Sequence, residues 1–263
     1  MKKKELFLGA YNLTNFEVLN QWLTTDIDIY NKGIDLAPSY GNSVEIMDFI
    51  GKYESHYRHQ LQTSYKIDIE FYTINRSKWF MNFLDLLKRS KLERMDYIFI
   101  HWPWNYNLNE TLDFLLWLKS KSYVKNIGIA NFSCLDKEIK NSIIGTIDVI
   151  QEECHILIPE IETSKIKKIG YSPGANGKLY TSELYKELIE KFKSENIIGQ
   201  LNKKWLFENL DGIVFGTNKI ERMFSWIKYE EYLNNDDYEV FKNIIKRNKN
   251  KIRCFSPSLS LPV

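Results

Sequence analysis

The sequence predicts an α/β protein, a single-domain (β/α)8 TIM barrel spanning residues 1–263. Three observations predict it. Short β-branched or aromatic runs alternate with longer amphipathic segments along most of the chain, and parallel neighbours need crossovers that are usually helical. Tyr97-Ile98-Phe99-Ile100 is apolar on both faces, as expected of a strand buried between a barrel interior and an outer helix layer. No repeat, low-complexity tract or Gly/Ser linker divides the chain, and α/β barrels routinely fill this length as one domain. On pattern alone a doubly wound open sheet is the alternative.

The expected strands are Leu6–Tyr11, Gly33–Ala37, Gln60–Ile67, Tyr97–Trp102, Asn126–Ala130, Ile147–Gln151, Lys168–Ser172 and Gly212–Gly216. Expected helices lie at Phe16–Leu23, Ser43–Tyr53, Ser77–Leu92, Glu110–Ser120, Asp136–Ile144, Ser182–Ser194 and Ile220–Leu233. Within the third of these, Trp79, Phe80, Phe83, Leu84, Leu86 and Leu87 recur at helical spacings and form one apolar face. Glu152–Lys167 offers only a short, Pro-interrupted helix, and Ile198–Leu210 reads as a further helix before the eighth strand. Asp236–Lys249 reads as an extra charged helix packed outside, about 236–249, before an irregular tail marked by Pro257 and Pro262.

Composition narrows the function classes. At 263 residues, 44% hydrophobic and 27% charged, the chain can bury a substantial core. A net charge of +2 is too balanced to suggest nucleic acid or an acidic membrane surface as partner. The Lys-rich start lacks the apolar run of a signal peptide, and no stretch approaches a membrane span, so the expected location is cytoplasmic. Cys134, Cys154 and Cys254 are odd in number and widely spaced, which suggests neither a disulfide framework nor a metal knuckle.

In such a barrel, polar groups at the C-terminal ends of strands are where chemistry is expected. The second strand leads through Asp35 to Tyr40, the fourth ends at His101-Trp102-Pro103, and the fifth ends at Asn131. Each alone has an ordinary structural reading: a chance Asp/Tyr spacing, a hydrogen-bonded histidine, a turn-forming asparagine. Their joint placement on strand ends is what points to a site.

These segments resemble the aldo-keto reductases. Gly33 to Gly41 is similar to that family's G-x-D-T-A-x-x-Y-G segment, with Leu36 where Thr is usual. His101-Trp102-Pro103 resembles its I-H-W-P strand end, and Ile127 to Phe132 its I-G-V-S-N-F, with Ala130 replacing Ser. Ile147 to Gln151 resembles the strand ending in a cofactor-contacting Gln. Tyr171 to Leu179 resembles the Y-S-P-L-G-x-G-x-L loop, and Gly216 to Arg222 the phosphate-recognition loop. The resemblance implies hydride transfer from a nicotinamide to a small-molecule carbonyl, performed by an Asp, Tyr, Lys and His.

The chemistry suits those residue types. A carbonyl accepting hydride develops negative charge on oxygen and needs a proton donor beside it. A phenol, with an unperturbed pKa of about 10, donates poorly near neutrality unless a neighbouring ammonium lowers it. Tyr40 is therefore the expected acid, Asp35 the group that orients the ammonium, and His101 a second donor to the oxygen. The lysine leaves two registers open. Aligning Thr63 with the family's hydroxyl residue puts Ser64 at the lysine position, and aligning Lys66 puts Tyr65 before it. Ser64 and Lys66 share one face of the strand, so Lys66 can point inward, and it is the expected lysine. With Ser64 there instead, catalysis would be impaired.

On the cofactor side, the resemblance implies that Tyr171 stacks on the nicotinamide and that Asn131 and Gln151 bind its carboxamide. Gly9 and Ala10 line its pocket, with Ser172 beside Tyr171. Gly216, Thr217, Lys219 and Arg222 follow the eighth strand, where barrels often bind phosphate. An arginine that can pair with a 2′-phosphate favours NADP over NAD, whereas Ser225 and Trp226 depart from the family's adenine-side residues. Trp102, Trp104 and Tyr106 form either an aromatic wall against substrate or a rim cluster. The expected protein is an NADP-dependent oxidoreductase, monomeric or a small homo-oligomer, with no metal. The alternative is a barrel of the same kind that binds a nicotinamide nucleotide or a partner without turnover. A barrel lyase or isomerase is disfavoured because no acidic and histidine metal cluster is evident.

Overall fold

A computed structural model describes residues 3–68, 76–103, 108–158, 165–228 and 234–247. The strands are β1 (Lys4–Gly9), β2 (Tyr30–Asp35), β3 (Gln62–Ile67), β4 (Met95–Ile100), β5 (Val124–Ala130), β6 (Val149–Glu153), β7 (Lys167–Tyr171) and β8 (Gly212–Phe215). They pair in parallel in chain order, and β8 pairs back onto β1 through Glu5↔Gly212 to Leu8↔Phe215. That last pairing closes the barrel and rules out the open sheet. Around it run α1 (Phe16–Thr24), α2 (Ser43–Gly51), α3 (Ser55–Gln60), α4 (Arg76–Ser90), α5 (Leu108–Ser120), α6 (Lys137–Ile143), α7 (Glu183–Phe192), α8 (Glu195–Asn209), α9 (Ile220–Ile227) and α10 (Asn235–Arg247). No helix among the described residues is long and apolar enough to cross a membrane.

Period-two alternation divides each strand between two environments. On β1, Leu6 and Leu8 belong to the layer between barrel and helices, while Phe7 belongs to the interior with Tyr97, Phe99, Ala130, Val149, Ile169 and Val214. Two glycines make room for this filling. A Cβ at Gly33 would stand 2.4 Å from the Phe7 ring, and one at Gly128 would stand 2.8 Å from the Phe99 ring. Below the aromatic layer, Glu5, Tyr97 and Lys167 form a polar closure. Tyr97 Oη donates to Glu5 Oε1 at 2.6 Å, and Lys167 Nζ donates to the same oxygen at 2.5 Å. Burial, then the Glu5 charge, pushes the Tyr97 phenol far above its ordinary range.

Local signals set several helix starts. Asn15 accepts from the Glu17 N–H, Ser182 from Tyr185 and Ser194 from Ile197, satisfying amides that the first turn leaves without helical partners. The apolar stripe of α4 buries Trp79, Phe83, Leu86 and Leu87, and α10 buries Tyr238, Phe241, Ile244 and Ile245.

Some boundaries differ from expectation. β1 ends at Gly9 because the chain turns there, with the Leu13 N–H donating to Ala10 O at 3.0 Å. β6 begins two residues late: the Asp148 carboxylate takes Lys119 Nζ at 2.7 Å and the Ile127 N–H at 2.9 Å, anchoring its start to β5 by a side chain. The helix Ser55–Gln60 went unread because its Ser-His-Tyr-Arg-His-Gln sequence has no apolar period and buries no residue. After β6 the chain makes a turn, with the Ile158 N–H donating to His155 O at 2.8 Å. The suggested helix of the 152–167 segment has no counterpart among its described residues. Residues 159–164 and 229–233, Trp104, Tyr106, Pro257, Pro262 and the last residues of the 236–249 helix lie outside the described residues.

Candidate active site

The C-terminal mouth of the barrel brings four of the expected side chains together. β2 and β3 pair Asp35 opposite Ser64, and the inward positions of β3 continue to Lys66. The Asp35 carboxylate accepts from Ser64 Oγ at 2.7 Å, from Gln151 Nε2 at 2.9 Å and from Lys66 Nζ. Ser64 and Lys66 thus serve the same carboxylate one pleat apart, and Lys66 is the one that reaches the mouth. Its ammonium lies 5.1 Å from the centroid of the Tyr40 ring. Both partners of the ion pair are buried, with side-chain exposures of 3% and 4%. Such a pair holds its geometry because separating it would strand a charge away from water.

Tyr40 ends a one-turn 3-10 helix, Pro38–Tyr40. Pro38 opens the turn, the Ser43 hydroxyl ties it down by donating to Ala37 O at 2.6 Å, and Gly41 leaves it at φ +77°, a conformation that favours glycine. The Tyr40 ring meets Tyr11 edge-on at 5.5 Å and His101 edge-on at 6.1 Å. Burial, then the charges of Asp35 and Asp68 and the neighbouring Tyr11, pushes the Tyr40 phenol well above its ordinary value. The expected lowering by lysine is therefore not the net result. Lys66 is already neutralised by Asp35 in direct contact, so little of its field remains for the phenol. Tyr40 is held as the neutral phenol.

His101 follows β4, and its Nδ1 pairs with Asp68 Oδ1. Asp68 Oδ2 accepts the Ser39 N–H at 3.0 Å. Burial alone would raise the Asp68 carboxyl, but the hydrogen bond and charge of His101, with the Ser39 donor, outweigh it and leave the group below its usual range. The His101 ring stacks on Trp102 at 4.9 Å. Its carbonyl accepts from Asn131 Nδ2 at 3.0 Å, and Asn131 Oδ1 accepts from the Tyr171 hydroxyl at 2.5 Å. Asn131 stands at φ +57°, which asparagine tolerates better than most residues. This chain of bonds links the ends of β4, β5 and β7. Burial, then Glu153 and Glu152, pushes the Tyr171 phenol well up.

A cavity of about 950 Å³ opens over these groups. Of the expected site residues, Gly9, Asp35, Tyr40, Lys66, His101, Asn131, Gln151, Tyr171, Ser172, Gly216, Thr217 and Arg222 line it. Two do not. Ala10 is fully buried among the core residues, and Lys219 is exposed at the start of α9 and contributes nothing to the lining.

The Aldo/keto reductase family pattern matches residues 6–197. The chain belongs to the aldo/keto reductase family. Solved structures agree on the fold. An aldo-keto reductase, MGS-M4, from a Medee basin deep-sea metagenome library superimposes with a TM-score of 0.71 at 19% identity, covering 98% of this chain and 95% of that one. A variant of Gox0644 in complex with NADPH gives 0.71 at 17% identity, covering 98% and 94%. The aldose reductase from Schistosoma japonicum gives 0.67 at 18% identity, covering 90% and 87%. No functionally curated protein matches the chain.

Within this aldo/keto reductase most of the residues expected on the cofactor side line the cavity, but several are already engaged. Asn131 is shared between His101 and Tyr171, and Gln151 donates to Asp35. Thr217 Oγ1 accepts the Lys219 N–H at 3.0 Å. Asn218 staples the β8–α9 loop to the β1–α1 loop: its Oδ1 accepts the Thr14 and Asn15 N–H groups at 2.8 and 3.0 Å, and its Nδ2 donates to Asn12 O at 2.8 Å. Trp226 lines the cavity stacked on Phe215 at 5.4 Å, whereas Ser225 turns back to bond Arg222 O at 2.7 Å. Trp102 also lines the cavity. Sequence reasoning placed Tyr11 at the end of the first strand and Asn218 in the loop after the eighth without giving either a contact, and it missed Asp68. The signal for Asp68 was available, since it follows Ser64 and Lys66 at the same period of two on the inward face.

Proposed function

We propose that this aldo/keto reductase reduces a small aldehyde, ketone or sugar carbonyl with NADPH, with Tyr40 as general acid. The observation that carries the reading is the buried Asp35–Lys66 pair beside the Tyr40 ring, with His101 facing that ring from across the mouth. A cavity wall with a phenol ring (Tyr171), amide side chains (Asn131, Gln151), unhindered glycines (Gly177, Gly216) and a terminal arginine (Arg222) fits a nicotinamide dinucleotide. A Cβ at Gly216 or Gly177 would meet nothing within 4 Å, so the backbone there is open to close approach. The reduced nicotinamide supplies the hydride. Tyr171 would present its ring to the nicotinamide and Arg222 would pair with the 2′-phosphate, which favours NADP over NAD. Tyr40 holds the proton for the substrate oxygen, Lys66 and Asp35 keep an ion pair beside the Tyr40 ring, and Tyr11 and Trp102 exclude water from one side. The NADPH complex of the structurally similar Gox0644 variant supports the cofactor assignment.

NADPH oxidation across a carbonyl panel tests this. Tyr40→Phe should lower kcat by roughly 10²-fold or more, the scale of a general acid. Unchanged turnover in Tyr40→Phe would remove Tyr40 from the role. A second reading, binding without turnover, is favoured by one observation: burial, then the charges of Asp35 and Asp68, holds the Tyr40 phenol well above its ordinary value and so weakens it as a proton donor. Fluorescence titration with NADPH separates the two, since saturable binding with no oxidation of any panel member supports the binder.

A further inference from the structure

Asp68 stands outside the group of four that the reduction calls for, yet one of its oxygens holds His101 Nδ1 and the other holds the Ser39 N–H at 3.0 Å. Ser39 is the middle residue of the turn that carries Tyr40. One carboxylate, 3% exposed, therefore fixes both proton-bearing side chains of the mouth. It is placed there by the strand period: Ser64, Lys66 and Asp68 face inward in succession, and the His101 N–H donates to Ile67 O at 3.0 Å, aligning the two chain segments.

The consequence is a matter of proton bookkeeping on one ring. An ionised carboxylate only accepts, so the hydrogen of that contact sits on Nδ1. Neutral imidazole carries one N–H, which leaves Nε2 bare as the nitrogen available to the cavity. A bare Nε2 accepts hydrogen bonds and cannot donate to a carbonyl oxygen. Donation requires a second proton, and the Asp68 charge in direct contact is what compensates the resulting imidazolium. Among the described residues, the other charged or titratable groups facing His101 are Tyr40, with Lys66 and Asp35 behind it. Lys66 and Asp35 are paired with each other, so Asp68 is the charged group in direct contact with the ring.

We infer that Asp68 is a positioning residue that locks His101 in the Nδ1–H form, so that His101 donates to a substrate oxygen only as imidazolium and accepts from an alcohol when neutral. The inference rests on reading the site as a carbonyl reductase. In reduction the carbonyl carbon gains the hydride supplied by NADPH and the oxygen gains the Tyr40 proton, while the imidazolium Nε2–H bonds that oxygen as its charge develops. In the reverse direction neutral Nε2 accepts the hydrogen bond of the alcohol. The two directions thus prefer opposite protonation states of one ring.

The test compares wild type, Asp68→Asn and Asp68→Glu. Nitrogen-15 NMR of the histidine rings, with His101 assigned by its loss in His101→Gln, should show the Nδ1–H form at alkaline pH in wild type and in Asp68→Glu. In Asp68→Asn it should show a mixture or the Nε2–H form. With a reducible carbonyl, the pH profile of kcat should differ between wild type and Asp68→Asn, and Asp68→Glu should keep the wild-type form. An Nε2–H form in wild type, or the same ring form in wild type and Asp68→Asn, overturns the inference. A changed ring form with an unaltered kcat profile overturns its link to catalysis. The expected ring forms with no turnover on any carbonyl refute the reductase reading and leave the control of His101 by Asp68 standing.

Discussion

Replacing Lys66 with methionine removes the cation at the centre of the site while keeping most of its volume. Taking one partner from a buried ion pair costs about 3–5 kcal/mol when the other charge is stranded. Here the Asp35 carboxylate keeps Ser64 Oγ at 2.7 Å and Gln151 Nε2 at 2.9 Å, so its charge is only partly stranded. The expected stability loss is therefore at or below the lower end, about 2–3 kcal/mol, since hydrogen bonds to a charged group contribute about 1.5–3 kcal/mol each. The effect on turnover should be larger. Without the ammonium, Asp35 and Asp68 act on Tyr40 uncompensated and push a phenol that is already high still further from donation. A fall in kcat of about 10² or more is expected, within the range attributed to general acid catalysis. Ser64→Ala is the control for register. It removes one donor from Asp35, should cost about 1 kcal/mol and should leave most of the turnover. Urea unfolding followed by circular dichroism gives the first quantity and NADPH oxidation the second. A folded Lys66→Met protein with kcat within about threefold of wild type, a difference under about 0.7 kcal/mol in barrier, would refute the reasoning.

Three further outcomes follow from the packing and the charges. Lys167→Met leaves Glu5 at the barrel bottom with Tyr97 as donor to its Oε1, and should lower stability by about 1–3 kcal/mol while leaving kcat/KM unchanged, because the site is at the opposite end of the barrel. Gly51→Ala drives a Cβ to 1.9 Å from the Arg89 carbonyl oxygen, where backbone cannot yield cheaply. The α2–α4 contact must separate, and Tm should drop by several degrees, matching an overpacking cost of about 1–3 kcal/mol. For pH, Asp68 has a folded-state pKa below its unfolded value, so its contribution is present above the unfolded pKa and is lost as pH falls through the folded one. The stability difference between wild type and Asp68→Asn should therefore be greatest near neutrality and shrink below about pH 4, where the unfolded carboxyl takes up its proton. A difference that grows on acidification would contradict the assignment.

The barrel was legible because its signals are local. β-branched and aromatic runs, amphipathic helical faces and the doubly apolar Tyr97–Ile100 stretch each report on a few neighbouring residues, and their alternation implies parallel crossovers. Helix Ser55–Gln60 escaped for the same reason, since it buries nothing and so carries no period. Boundaries slipped where a side chain takes part of the ladder, as the Asp148 carboxylate does at the start of β6 by accepting the Ile127 N–H while the Asp148 N–H still donates to Ile127 O. Ala10 and Lys219 were named with the site by their place in a motif, but one is packed into the core and the other projects to solvent.

What the sequence by itself determined is which residue types stand at which strand ends: a carboxylate and a phenol after β2, a lysine within β3, an imidazole after β4 and amides after β5 and within β6. What only the tertiary structure decided is which of them touch. Gln151 reaches Asp35 across 116 positions of chain, Lys66 across 31, and Asp68 meets His101 across 33. Those meetings depend on the closure of β8 onto β1 and on the stagger between neighbouring strands. No local period encodes either, because both emerge from the joint packing of all eight strands around one interior.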